Sequence, residues 1–206
     1  MIGASTMKNG LLPIRQIDPA LLPAVARLHR SALPILLSDM GYPFVLRYFQ
    51  IAVTDPSVIG FYALSDAGDL IGYVIGSPNP GRITSRLTRP LPWFIGQCLR
   101  LLFTRPALLW QAAVSSRTVS DQWSAAGDAI EVSYMSVDPQ ARGRGLGRAL
   151  MTAFHDASRA AGYRRVLGSQ ELGNDTSIHL LTDLGYKVKY TFREGHYHRQ
   201  RIELLL

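Results

Sequence analysis

One segment constrains this chain more than any other: Val137-Asp138-Pro139-Gln140-Ala141-Arg142-Gly143-Arg144-Gly145-Leu146-Gly147. Before it, Ala129–Val137 is apolar and β-prone and ends at Asp138-Pro139, which predicts a strand with a sharp stop. After it, Leu146, Leu150, Ala153, Phe154, Ala157 and Ala161 recur on one helical face, with Gly162 as the C-terminal cap. The chain therefore runs strand, glycine-rich turn, helix. Three glycines at alternate positions allow positive φ and strip side chains from one surface, so that backbone N–H groups converge at a helix N-terminus. Arg142, Arg144 and Arg148 add positive charge around it. The ligand such a turn suits is a phosphate or pyrophosphate. The dinucleotide fingerprint fits badly, because the spacing here is G-x-G-x-G. So does the mononucleotide loop, because Gly147 is followed by Arg148-Ala149 instead of Lys-Ser/Thr.

The rest of the chain predicts helices interrupting a sheet. Leu12–Ile17 reads as a short strand, and Asp18-Pro19 as a cap leading into a helix through Ala32. A second helix is expected over Phe44–Ala52. Val58–Leu64 and Leu70–Gly76, joined by Ser65-Asp66-Ala67-Gly68-Asp69, read as a hairpin. The prolines at 80, 90, 92 and 106 break the rhythm, and two short helices are expected at Trp93–Phe103 and Ala107–Val114. Arg165–Gln170 is a strand, Asn174 or Asp175 caps a helix through Leu184, and Tyr186–Phe192 with His196–Leu204 closes the chain as a hairpin about Arg193-Glu194-Gly195. The sum is an α/β (α+β) chain with a mixed, largely antiparallel sheet. One domain over residues 1–206 accommodates it, with 81–127 inserted as an Arg-rich helical segment between the third and fourth strands.

Charge is distributed unevenly. The net charge is +7, yet from Leu70 to Ser120 there is no Asp, Glu or Lys, and six arginines (82, 86, 89, 100, 105 and 117) carry the segment. Outside it the 16 remaining basic residues nearly balance 15 acidic ones. Such a block favours an anionic partner, or else solubilises an apolar segment. No helix-turn-helix, finger or aromatic single-strand signature accompanies it, so nucleic acid is not the expected partner. Arg100 and Arg105 interrupt the apolar runs, so a spanning helix is not expected, while peripheral membrane contact through Trp93 and Phe94 stays open beside a packed subdomain. The lone Cys98 has no disulfide partner and no Cys/His cluster has metal spacing, so no metal is expected. Met1–Gly10 lacks a long apolar core, which makes the cytoplasm the default location.

Arg142-Gly143-Arg144-Gly145-Leu146-Gly147 resembles the coenzyme-A-binding motif of the GNAT superfamily of N-acetyltransferases. Downstream, Asn174 through Gly185-Tyr186 resembles that family's later Asn-x-x-Ala…Gly-Phe segment. The resemblance implies a GNAT-like fold and direct transfer of an acetyl group from acetyl-CoA to a primary amine. It places acetyl-CoA in a gap between the strands at Glu131–Val137 and Arg165–Gln170. Met135, Ser136 and Val137 would meet the pantetheine arm. Arg142, Gly143, Arg144, Gly145, Leu146, Gly147 and Arg148 would surround the pyrophosphate, and Asn174 would also touch the cofactor. Glu131 is the candidate base, sharing a strand face with Ser133 and Met135. The family's usual acid, a tyrosine, is replaced here by Leu181; His179, Tyr186 or Tyr134 are the substitutes, with Tyr186 taken as the catalytic candidate. His196 and His198 share a strand face and read as solvated. The Arg-rich segment suggests an anionic small-molecule acceptor such as an amino sugar nucleotide, expected to bind at Arg82, Arg86 or Arg89. A protein or peptide amine, or acyl-CoA binding without transfer, is the alternative. A homodimer through the closing hairpin or the apolar insert is a further expectation.

Overall fold

The structure, a computed structural model, describes residues 10–112, 127–194 and 196–206. The N-terminal stretch up to residue 9, Val114, Arg117 and the hairpin residue Gly195 lie outside the described residues.

Seven strands form one sheet in the order β1-β2-β3-β4-β5-β7-β6. They are β1 (Leu11–Pro13), β2 (Ile59–Leu64), β3 (Leu70–Ser77), β4 (Ala129–Val137), β5 (Arg165–Glu171), β6 (Lys187–Glu194) and β7 (Tyr197–Leu205). All neighbours are antiparallel except β4 and β5. On one face lie α1 (Leu22–Ala32), α2 (Leu36–Met40) and α3 (Tyr42–Ala52), followed after β3 by α4 (Pro80–Arg86), α5 (Leu91–Thr104) and a helical stretch at 106–112, α6. On the other lie α7 (Leu146–Ala160) and α8 (Asp175–Asp183).

Strand alternation decides which core each residue joins. On β3, Tyr73 and Ile75 enter the cluster with Phe44 and Phe49 from α3, whereas Val74 enters the one with Leu150 and Phe154 from α7. Phe154 is fully buried, and truncating such a ring costs about 3–5 kcal/mol. It packs so close to β3 that a Cβ at Gly76 would lie 2.6 Å from its Cζ and 2.3 Å from the Glu131 carbonyl oxygen. Glycine at 76 is thus what lets α7 press against the strand pair that carries Glu131.

Three expectations need correcting. The strand over Leu12–Ile17 stops at Pro13, which donates no backbone hydrogen bond, and Ile14–Gln16 forms a 3-10 turn. The helix over Phe44–Ala52 begins two residues earlier, with Pro43 in its first turn, and the five-residue α2 before it was not expected. Before α5 stands α4, started by Asn79, whose side chain accepts from the Arg82 N–H at 3.0 Å.

Candidate active site

β4 stays paired to β3 as far as Val137, but to β5 only through Ala129, Ile130 and Glu131. Beyond Glu131 the two parallel strands part. A bulge contributes: the register passes from Tyr134 opposite Ile75 to Val132 opposite Gly76, leaving Ser133 as an extra residue that bends β4. Between Val132–Met135 and Gly168–Glu171 a cavity of about 110 Å³ results, bounded further by Leu33, Asn174 and Leu181. The β5-facing edge of β4 there offers backbone donors and acceptors with no strand partner, which an extended amide-bearing ligand can satisfy.

The gap leads to the glycine-rich turn. Gly143 and Gly145 have φ of +75° and +77°, and a Cβ at either would meet nothing within 4 Å, so backbone conformation and not crowding at the Cβ favours glycine. The first α7 hydrogen bond joins the Ala149 N–H to the Gly145 carbonyl at 3.0 Å. The N–H groups of Leu146, Gly147 and Arg148 thus precede the helical ladder and face the turn, where the helix dipole favours an anion. Gly147 lies against Met135, Val137 and Leu180, fixing α7 to the end of β4. Arg142 and Arg144 are exposed beside the turn, Arg142 bonding the Val137 carbonyl through Nε at 3.3 Å. Arg148 is held differently from expectation: its guanidinium pairs with Asp183 of α8 at 2.8 Å. Ser136 is buried opposite Tyr73. Asn174 borders the gap, but its carboxamide oxygen caps α8, accepting from the Ser177 N–H at 3.1 Å.

Glu131 is the last β4 residue paired to β5, and it is 8% exposed. It forms an ion pair with Arg201 of β7. Burial pushes its carboxyl above the usual range, while the Arg201 hydrogen bond and charge pull it down; the net direction is up. A buried carboxylate kept ionised by an arginine, yet more basic than in water, is suited to accept a proton. Next to it Arg199 bonds Glu194 at 2.6 Å and the Ser169 carbonyl at 3.2 Å.

Glu131 stands on the floor of a second, larger cavity of about 570 Å³. Its helical walls are largely apolar, with Leu36, Met40 and Phe44 from the first helices and Leu87, Phe94 and Leu109 from the segment between β3 and β4, broken by Thr84 and Thr88. Glu194, Arg199 and Arg201 join Glu131 at its sheet end. The two cavities meet along Ile35, Val132, Ser133, Tyr134, Ser169 and Arg199. The arginines expected to line an acceptor pocket do not. Arg82 and Arg86 face Asp55 at 3.6 and 3.5 Å, and Arg100 bonds the Met40 carbonyl at 3.0 Å. Arg89 is absent from the lining, though Leu87 and Thr88 beside it are there.

The expected catalytic tyrosine also needs correction. Tyr186 borders the gap, but its hydroxyl is bonded to His155 Nε2 of α7 at 2.9 Å in the core, where burial holds the phenol far above its usual range. His179 is exposed, its Nδ1 on the Asp175 carbonyl at 2.7 Å. Tyr134 alone of the three substitutes borders both cavities. Burial, with Tyr48 and Glu194 nearby, keeps its hydroxyl protonated well above the usual range. His196 and His198 are exposed, as expected. Among the described residues no cluster of three or more His, Cys, Asp or Glu could hold a metal ion. Arg199 and Arg201 escaped the sequence reading, although their i, i+2 spacing on β7 put both on one face.

The comparison with protein families gives the class. Residues 22–186 match the model of the acetyltransferase (GNAT) family, and the chain belongs to that family. It is an acyl-CoA-dependent N-acetyltransferase, with acetyl-CoA as acyl donor. A search of curated proteins finds no match. Among solved structures, a GCN5-related N-acetyltransferase from Kribbella flavida is similar at 19% identity, with 96% of this chain and 98% of that one covered and a TM-score of 0.59. The ribosomal-protein-S18-alanine N-acetyltransferase of Escherichia coli shares 14% identity over 95% and 92%, with a TM-score of 0.57. A phosphinothricin acetyltransferase from Sinorhizobium meliloti, solved with AcCoA, shares 18% over 95% and 87%, with a TM-score of 0.56. At these identities the likeness is one of fold.

Proposed function

We propose that this acetyltransferase acts on the primary amine of a small molecule whose remaining body is apolar. The observation that carries this reading is the cavity of about 570 Å³, largely apolar along its helical walls and polar only at its sheet end, where the Glu131–Arg201 and Glu194–Arg199 pairs lie, that joins the β4/β5 gap beside Tyr134. An amino sugar nucleotide is favoured less, because Arg82 and Arg86 turn to Asp55 and Arg89 does not line the cavity. A peptide amine is favoured less, because helices wall the cavity on the side away from the sheet.

In this reading the turn at Arg142–Gly147 and the start of α7 hold the pyrophosphate of acetyl-CoA. The pantetheine arm lies along the open edge of β4, at Met135, Ser136 and Val137, near Asn174. The acceptor amine, neutral at attack, forms the N–C bond to the acetyl carbonyl carbon. Glu131 accepts the amine proton, directly or through one water. The C–S bond breaks and the thiolate of CoA takes a proton from Tyr134, which solvent restores. Arg201 keeps Glu131 ionised between turnovers.

The test is release of CoA thiol from acetyl-CoA with two acceptors, an arylalkylamine and an amino sugar nucleotide. Turnover with the first and none with the second is expected. The reverse pattern overturns the apolar acceptor while leaving donor binding untouched.

A further inference from the structure

Six of the ten exposed large hydrophobic residues among those described crowd between Leu91 and Trp110. Leu91, Ile95, Leu99 and Leu102 form a stripe along α5 at helical spacing, on the side away from Phe44. They are 60%, 48%, 50% and 51% exposed; Phe103 is 84% exposed and Trp110 of α6 is 74% exposed. A shallow, wholly apolar groove of about 270 Å³ runs between the stripe and Leu109. A solvent-facing helix does not carry such a surface without a partner.

The surrounding charge selects the partner. No acidic side chain occurs from Leu70 to Ser120. Arg89 before α5, Arg100 on it and Arg105 after it are exposed. Arg100 and Arg105 bond the carbonyls of Met40 and Asp39, which orients the guanidinium groups without neutralising them. Two copies meeting symmetrically on this face would bring like arginines together, which opposes a dimer. An apolar stripe with aromatic side chains at one end and three exposed arginines on or beside the same helix matches the boundary of a bilayer with anionic headgroups. Among the described residues no helix is long and apolar enough to cross a membrane, so this contact is superficial.

We propose that the outer face of α5 and α6 docks onto an anionic lipid surface, the leucines, Phe103 and Trp110 entering the headgroup boundary and the three arginines meeting lipid phosphates. Phe94, Cys98 and Leu109 line both the outer groove and the acceptor cavity. The docked face is therefore one side chain away from the space where an apolar amine would bind.

The test is flotation of the full chain with vesicles of phosphatidylcholine alone and with a quarter phosphatidylglycerol. Binding to the anionic vesicles is expected, weakened roughly tenfold or more without phosphatidylglycerol or in high salt. A Leu99→Glu/Phe103→Glu variant should lose it while keeping acetyl-CoA binding and thermal midpoint. The proposal is overturned if the wild type floats with neither vesicle, or if the double variant floats equally well. It is also overturned if the wild type is a dimer that the double variant dissolves and neither binds lipid.

Discussion

The donor and acceptor sides of this site are built from different materials. The donor side is backbone: an unpaired strand edge, two positive-φ glycines and the first N–H groups of α7. The acceptor side is side chains, contributed by α2 through α6 and by two charged pairs, Glu131–Arg201 and Glu194–Arg199, from β4, β6 and β7. A site made of backbone tolerates change in most side chains but not in conformation. A site made of side chains keeps its shape only as long as separate helices stay packed. The same division runs through the two buried histidines. His155 lies on the donor side in α7, and His29 on the acceptor side, wedged against Phe49 and Tyr134 with Nδ1 on the Tyr73 hydroxyl at 2.7 Å.

The largest effect expected from breaking this division is at Glu131. Glu131→Gln should lower kcat by roughly 100- to 10,000-fold and remove the acid limb of the rate profile. Acetyl-CoA affinity, measured by calorimetry, should hardly change, because the donor side is elsewhere. A parallel loss of donor affinity would show that the two sides are not separable.

Acid should expose the histidines next. Burial holds His29 at about 3 and His155 at about 4, against 6.5 for a solvated histidine of the unfolded chain. Below pH 6.5 the unfolded state therefore binds protons that the folded state refuses, and stability falls as pH falls. Each group contributes at most roughly 1.4 kcal/mol per pH unit. The contribution of His155 should level off near pH 4 and that of His29 near pH 3. Glu131 acts in the opposite sense, since its raised value adds stability that is lost as pH rises through that value. Denaturant midpoints between pH 7 and 4 should drop, and less steeply in His155→Gln. A flat profile would contradict the buried, neutral state of both rings.

The smallest change is expected at the turn. A Cβ at Gly145 meets no neighbour within 4 Å, but in Gly145→Val the φ of +77° costs a branched side chain about 1–2 kcal/mol. Acetyl-CoA affinity should fall about tenfold with the acceptor KM unchanged. Unaltered donor affinity would place the pyrophosphate elsewhere.

What the sequence disclosed follows the same line. The strand at Ala129–Val137 matches its expected bounds, and α7 starts at the expected Leu146, because a glycine turn, a proline stop and a clean helical period are all local signals. The mixed, largely antiparallel sheet with helices between β3 and β4 followed from them. The acceptor cavity did not, since Leu36, Phe94 and Leu109 meet only through tertiary packing. The arginines misled for a physical reason: Asp55, distant in sequence and 1% exposed, draws Arg82 and Arg86 away from the cavity. Tyr186 misled because its partner His155 lies thirty-one residues earlier on another element.

The most direct test of an apolar acceptor site beside a backbone-built donor site is a series of primary n-alkylamines of increasing length, followed by CoA release. Each added methylene that enters the cavity should raise kcat/KM about fourfold, corresponding to about 0.8 kcal/mol, until the cavity is filled, with acetyl-CoA KM constant. A rate that is flat or falls with chain length, or that rises only for phosphorylated amines, would contradict it.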